Sequence, residues 1–472
     1  MEHLFDKLRD NGESGIYPYH MPGHKRHGWG QLPRELYKAD ITEVDGFDNL
    51  HQPEGILREL QREAARLYGA SESFYLINGS TAGILSAVSC ALPAGGHLLM
   101  NRNCHKSAYH AAYLRGLRIS YLYPAVMREY DIFDGVTAEQ VRESLRCQPD
   151  IGAVLVVSPT YEGRISDIRG IAEVVHQRGI PLIVDEAHGA HLGWAEGFAE
   201  NSCQAGADLV IHSVHKTLPA LTQTALLHVN GGLIDREYLK RFLHIYQTSS
   251  PSYLLMASID NALQYLEKDG KEAFARFHMR FLKMTQRLSR CKYLRILPVE
   301  EKRQDIGKLV ISVKDTKLTG RQLYDILLSR YGLQPEMAAG SFVLAMFTVN
   351  DDEEGYARME RALTDIDASM TGGCAEEGEK SDFFYRPPAE NGGILLTEAW
   401  EADRHSVELR ESVGRCAGEF VNLYPPGVPL LVPGEQITEE FCDVIENCLR
   451  QGLTVQGLEI QEEKIRIQVL EK

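Results

Sequence analysis

The 472-residue chain contains no run approaching the ~18 consecutive apolar residues of a membrane-spanning helix. Its first residues, MEHLFDKLRDNGESG, lack the apolar core of a secretory leader. The expectation is a protein of the cytosol with no membrane partner. There is no C-x-x-C pair either. The nine cysteines are odd in number and scattered, which suggests neither a disulfide framework nor a zinc ribbon. Positive charge is in deficit: Lys+Arg number 50 against 66 Asp+Glu, a formal net charge of −16. That sign repels phosphate backbones and anionic lipid, so nucleic acid is not an expected partner. The 17 histidines include no H-E-x-x-H pattern. His188 and His191 stand three apart in a loop, and no metal site is expected.

The remaining composition, 44 % hydrophobic and 25 % charged, is that of an ordinary globular protein with a large core. At roughly 150 residues per domain, about three units are expected. Between residues 63 and 229, apolar runs at 74–77, 97–100, 119–122, 153–157, 182–184 and 209–211 alternate with helical stretches such as 82–91, 107–115, 138–147 and 168–178. The runs are continuous rather than alternating, as strands buried on both faces of a mostly parallel sheet must be. Long amphipathic helical stretches at 235–267 and 271–291 follow, then strand-like pieces at 308–313 and 341–348. A Gly-, Glu- and Pro-rich segment without periodicity makes 371–393 the natural linker. The expected organisation is an N-terminal arm (1–38), a large α/β domain (39–270), a small α+β domain (271–370), the linker, and a C-terminal domain (394–472).

In open parallel sheets, ligands bind beyond the carboxyl ends of the strands, so the residues after each run are where chemistry is sought. Asn78-Gly79-Ser80-Thr81 opens a helix with two hydroxyls and free amides, which suits a phosphate, although the same string is also an ordinary helix cap. His105 follows the run at 97–100. Asp185 follows the run at 182–184; at the end of a buried strand it has lost hydration and asks for a cation, unless it merely caps a turn. Lys216 follows the run at 209–211; there it is either desolvated for carbonyl chemistry or simply reaching to the surface. One cofactor explains all four. Pyridoxal 5′-phosphate (PLP) needs an anion cradle, a flat side chain on its ring, a carboxylate for its ring nitrogen and a lysine for its aldehyde. Ser80 with Thr81, His105, Asp185 and Lys216 meet those needs in turn.

Longer strings carry a family resemblance over nearly the whole chain. They are His20-Met21-Pro22-Gly23-His24-Lys25, Asp40-Ile41-Thr42-Glu43, Asn78-Gly79-Ser80-Thr81, Asn103-Cys104-His105-Lys106-Ser107, Asp185-Glu186-Ala187-His188-Gly189, Ser213-Val214-His215-Lys216-Thr217, and Tyr424-Pro425-Pro426-Gly427-Val428-Pro429-Leu430-Leu431-Val432-Pro433-Gly434-Glu435. On these the sequence resembles the bacterial ornithine/lysine/arginine decarboxylases, a group of fold-type-I PLP enzymes. The resemblance implies an aspartate-aminotransferase-like large domain with smaller α+β C-terminal units. It implies decarboxylation of arginine, lysine or ornithine to the corresponding amine of polyamine biosynthesis. It also implies a homodimer, or a higher homo-oligomer, with shared active sites. Lys216 would carry the cofactor, Ser213 and His215 would flank its phosphate, Ser80 and Thr81 would cradle it, His105 would stack on the ring, Ala187 would lie beneath it, and Asp185 would pair with its nitrogen. Lys216 or His215 would return a proton to the substrate. The long inducible enzymes of this group carry an N-terminal wing domain, whereas here the HMPGHK string starts at residue 20, so a dimer or tetramer is expected rather than a decamer. The substrate's cationic end needs a carboxylate, for which Glu43, Asp45, Asp48 and Glu435 stand as candidates. The rival readings are another fold-type-I activity (an aminotransferase or aldolase) and a catalytically silent PLP-binding regulator.

Overall fold

The computed structural model describes residues 2–28, 30–370, 394–424, 427–461 and 464–471. Trp29, the expected linker 371–393, and Pro425 with Pro426 of the YPPGVPLL string lie outside the described residues. The chain forms two compact units: Met1–Pro93 with Thr137–Pro159 and Asp167–Ala275, and Ala94–Val136 with Thr160–Ser166 and Arg276–Lys472. Among the described residues, no helix is long and apolar enough to cross a membrane.

The first unit holds five strands in the order Glu72–Leu76, Ala225–Val229, Leu209–Ser213, Leu182–Asp185, Ala153–Val157. Pairing is parallel from Ala153–Val157 to Leu182–Asp185 and on to Leu209–Ser213. It is antiparallel at the two remaining junctions. The strands Leu182–Asp185, Leu209–Ser213 and Ala225–Val229 are buried along their whole length, which accounts for their unbroken apolar text. Ala225–Val229 was not among the expected runs. Helix Gly79–Ala91 lies close on the sheet: a Cβ at Gly83 would stand 2.7 Å from Leu76 and 3.0 Å from Ile211, so glycine sets that approach. Glutamines cover the edge strand, with Gln61 accepting from the Tyr75 amide (3.0 Å) and Gln247 from the Ile77 amide (2.9 Å).

One expected element divides. The helical stretch at 235–267 is two helices, Arg236–Tyr246 and Tyr253–Tyr265. Pro251 supplies no amide to a continuing helix, and Ser252 caps the second one through the Leu255 amide.

The second unit contains a parallel pair, His97–Asn101 with Arg118–Leu122, joined through helix Lys106–Arg115. It also contains an antiparallel sheet in the order Arg295–Ile296, Lys308–Ser312, Phe342–Met346, Met337–Ala338. Its C-terminal part buries Phe441, Ile445 and Cys448 of helix Glu439–Arg450 among Val421, Leu431 and Ile467.

Candidate active site at the strand ends

In the first unit, two neighbouring parallel strands end in the residues that carry charge. Leu182–Asp185 closes on Asp185, whose buried carboxylate accepts from the Ala187 amide (3.2 Å). Burial pushes its pKa up, and Lys216 opposes that shift. The carboxylate has lost its water and gains from a cation. Leu209–Ser213 runs directly into the one-turn helix Val214–Thr217 that carries Lys216. The Lys216 Nζ lies 3.0 Å from His188 Nε2. Lys216 thus lies within electrostatic reach of Asp185 and in contact with His188. The sequence analysis gave His188 no role, though it stands in the Asp185–Gly189 string that carries the resemblance. Its position three residues past a strand-end Asp was the signal available. His215 is half-buried and donates from Nδ1 to the Thr224 carbonyl (2.8 Å), which leaves Nε2 as an acceptor. Burial lowers its pKa, so it is a neutral imidazole at pH 7. Ala187 is buried beside Asp185.

The same strand end holds two buried hydroxyls without a hydrogen-bond partner, Ser213 Oγ and Thr217 Oγ1. A buried hydroxyl left unpaired costs about 1–3 kcal/mol, so two on either side of Lys216 describe a place made for an acceptor. Helix Gly79–Ala91 begins with half-buried Ser80 and exposed Thr81, and no side chain caps its first amides. The Asn78 Oδ1 instead accepts from the Thr248 amide. These open donors, the orphan hydroxyls, the amine and the cation-seeking carboxylate fit PLP.

His105 belongs to the second unit and caps helix Lys106–Arg115, its Nδ1 accepting from the Ser107 amide (3.2 Å). The Lys106 amide donates to the Gly427 carbonyl (3.2 Å), which lays Gly427 beside His105. Glu435 is buried, its Oε2 accepting from Arg102 (2.9 Å) and the Val432 amide (2.8 Å), while its Oε1 has no hydrogen-bond partner. Asp48 accepts from the amides of Asn49, Glu54, Gly55 and Leu57 and clasps the loop before helix Ile56–Tyr68. Against the raising effect of partial burial, those donors hold its pKa down. Asp45 is exposed, whereas Glu43 is half-buried and keeps Oε1 without a partner. In the arm, His24 Nε2 meets Asp40 at 3.1 Å and Thr42 donates to the Met21 carbonyl. No group of three metal-binding side chains occurs among the described residues.

The family model described as the Orn/Lys/Arg decarboxylase major domain matches residues 3–306, and that of the C-terminal domain matches residues 396–451. The chain is 31 % identical to the arginine decarboxylase of Bacillus subtilis over 97 % of its own length and 95 % of that protein's. It is 23 % identical to the inducible lysine decarboxylase of Escherichia coli over 94 % of this chain and 75 % of that one. The fold matches the crystal structure of a Francisella novicida lysine decarboxylase with a TM-score of 0.85 at 16 % identity, covering 99 % of this chain and 81 % of the other.

Proposed function

The chain belongs to the Orn/Lys/Arg decarboxylase family and is a decarboxylase, and from that premise we propose that it removes CO2 from arginine with PLP held at Lys216. The observation that carries the cofactor assignment is the meeting of Lys216, His188 and Asp185 beside two orphan hydroxyls. The preference for arginine rests on the relatives. Those near 30 % identity include arginine decarboxylases of three Bacillus-type bacteria, while the lysine decarboxylases stand at 23–24 %.

When bound, PLP supplies the electron sink for the pair left behind as the Cα–carboxylate bond breaks. Lys216 holds the cofactor through its amine, and His188 Nε2 orients that amine from 3.0 Å. Asp185 keeps the ring nitrogen protonated, and its own burial raises the gain from that contact. The Ser213 and Thr217 hydroxyls donate to phosphate oxygens, together with the first turn of the Ser80–Thr81 helix. Lys216 Nζ, or His215 Nε2 once it has taken up a proton, returns the proton to Cα. Glu43, with one carboxyl oxygen unspent, receives the substrate's cationic end. A homodimer belongs to this reading: Ile16, Tyr17, Tyr19 and Met21 of the arm are 65, 56, 90 and 67 % exposed, an apolar cluster that a second subunit would cover. So do a cytosolic location and a role in making polyamine precursors.

The test is to incubate the purified protein with PLP and, separately, arginine, lysine and ornithine. Agmatine from arginine is expected. Cadaverine or putrescine in its place moves the substrate. Pyridoxamine phosphate accumulating instead identifies an aminotransferase, and no amine from any of the three identifies a catalytically silent binder.

A further inference from the structure

Behind the strand ends lies a row of polar side chains that none of these steps uses. Glu186 is 1 % exposed. Its carboxyl group accepts from the Ser202 hydroxyl (2.6 Å) and amide (3.1 Å) and lies 2.7 Å from His212 Nε2. His212 Nδ1 is 3.0 Å from His228 Nε2, and His228 Nδ1 is 2.6 Å from Ser73 Oγ. Glu186 follows strand Leu182–Asp185, and the others sit on Leu209–Ser213, Ala225–Val229 and Glu72–Leu76. Those four strands are neighbours in that order, so the row crosses them one after another. The Tyr68 ring covers it, 4.8 Å from His212 and 4.7 Å from His228, with its hydroxyl on the Ala190 carbonyl.

Burial favours the uncharged form of each titratable group in the row: it pushes Glu186 up to about 8 and His212 down to about 3, and lowers His228 as well. It thereby favours a hydrogen bond between uncharged partners over an ion pair at the short Glu186–His212 contact. The donors then match the acceptors one for one. The Glu186 carboxylic O–H donates to His212 Nε2, His212 Nδ1–H to His228 Nε2, and His228 Nδ1–H to Ser73 Oγ, a tautomer set assigned from the pairing.

Its place in the ladder gives the row a consequence. The last rung between the two strands is Asp185 with Ile211, so Glu186 and His212 form the next rung, joined by side chains. In extended chain, successive side chains face opposite ways. Fixing Glu186 and His212 on one face fixes Asp185 and Ser213 on the other, and a slip of one residue would exchange them. We propose that Glu186, His212, His228 and Ser73 are positioning residues, a hydrogen-bonded row that locks the register of the two strand ends and so holds Asp185, Ser213 and Lys216 toward the cofactor. The proposal rests on the reading of this site as a PLP decarboxylase site.

The test compares Glu186→Leu with Glu186→Gln in the full-length protein. PLP affinity is measured by titrating apoprotein and following the visible absorbance of the bound cofactor; kcat, KM and Tm are measured beside it. Leu cannot bridge Ser202 and His212. A loss of at least tenfold in PLP affinity and a tenfold or greater fall in kcat, with KM within threefold, is expected. Gln keeps a donor for His212 and an acceptor for Ser202, and is expected to restore most of what Leu loses. PLP affinity unchanged in Glu186→Leu overturns the proposal, as does Glu186→Gln losing as much as Leu, because charge rather than neutral bridging would then be at work. Should Glu186→Leu not fold, Ser202→Ala removes one of the bonds to Glu186 with little change of volume. It is then expected to weaken PLP binding three- to tenfold, and wild-type affinity would overturn the proposal. Failure of the underlying reading looks different: wild-type protein that binds PLP but releases no amine discards the decarboxylase, while the affinity comparison still decides the row.

Discussion

Two basic residues in this molecule look alike in the sequence, since each closely follows a buried strand: Arg102 after His97–Asn101 and Lys216 after Leu209–Ser213. Their surroundings differ. The buried Arg102 guanidinium donates to Glu435, to the Tyr109 hydroxyl and to the carbonyls of Pro429 and Leu430. Lys216 is half-buried, its amine beside the His188 imidazole and flanked by the unpartnered hydroxyls of Ser213 and Thr217. A buried cation whose two terminal nitrogens are held by a carboxylate, a hydroxyl and two carbonyls, with Nε alone left without a partner, cannot turn to a ligand without stranding its carboxylate, so it ties parts of a unit together. A cation set among unmet hydrogen-bonding demand, next to a carboxylate that burial has raised, is stabilised when a ligand arrives. The lesson is that the partner list, not the strand-end position, separates a structural charge from a reacting one.

The sharpest way to break that contrast is to delete each charge. Lys216→Ala should reduce turnover by about 10^3-fold or more while leaving Tm within a few degrees, because it removes the cofactor's anchor and little packing. Borohydride reduction of wild-type protein with PLP should place the label on the peptide containing Lys216, and a label on another lysine would reassign the site. Arg102→Met should do the reverse. It strands Glu435 and should cost about 3–5 kcal/mol of stability, read by denaturant unfolding of the second unit. Adding Glu435→Leu to Arg102→Met should recover much of that loss, since the pair as a whole is replaced by apolar groups. A smaller effect sharpens the Lys216 side: Asp185→Asn should keep PLP bound but lower kcat by about 10^2-fold with KM little changed, because a neutral amide does not hold a proton on the ring nitrogen.

Much of this was legible in the sequence where the signal is local. The continuous runs that end at Asp185 and Ser213 are strands because both faces are buried, and the charged residue after each run marks its end. What sequence could not supply were partners far apart in the chain. Glu435 read as a free acid because its guanidinium partner lies 333 residues away. Asp48 read as one too, although its clasp is local. The signal was there in an Asp within reach of the amides of Asn49 and Glu54–Gly55, a turn that Asp side chains favour. The row behind Asp185 was illegible for the first reason: Glu186, His212, His228 and Ser73 are scattered through the text and meet only across four strands.

That row makes a prediction in pH. Glu186 has its folded pKa raised to about 8, so the stability it contributes is fully present below the ordinary carboxyl value of 4.5 and is lost as pH rises through 8. His212 is lowered to about 3, so its contribution is complete above 6.5 and is lost as pH falls toward 3. The two oppose each other between 4.5 and 6.5, and only Glu186 acts between 6.5 and 8. Across that upper window, apoprotein stability should fall more steeply in wild type than in Glu186→Gln, by about 1 kcal/mol per pH unit. Parallel curves for the two proteins would show that Glu186 is already ionised at neutral pH.

The smallest effect tests the same rule on acids rather than bases. Asp48 and Glu43 lie five residues apart, yet Asp48 has four backbone donors on its carboxylate while Glu43 keeps a buried oxygen without a partner. Of these two, Glu43 is the carboxylate with capacity left for a substrate cation. Glu43→Gln should therefore raise KM for the basic amino acid about tenfold, near 1.4 kcal/mol, and leave PLP affinity unchanged. Asp48→Asn should instead lower stability by about 1 kcal/mol, as loss of a capping carboxylate does, with KM unmoved. Exposed Asp45 should give a weaker KM effect than Glu43, since a solvated pair contributes under about 1 kcal/mol. If the acid serves the partner subunit's site, mixing Glu43→Gln with Lys216→Ala protein should restore part of the activity, because one hybrid site would then hold both intact residues. A KM that moves with Asp48→Asn and not with Glu43→Gln would show that a carboxylate saturated by the backbone can still serve the substrate, and the rule drawn from Arg102 and Lys216 would not extend to acids.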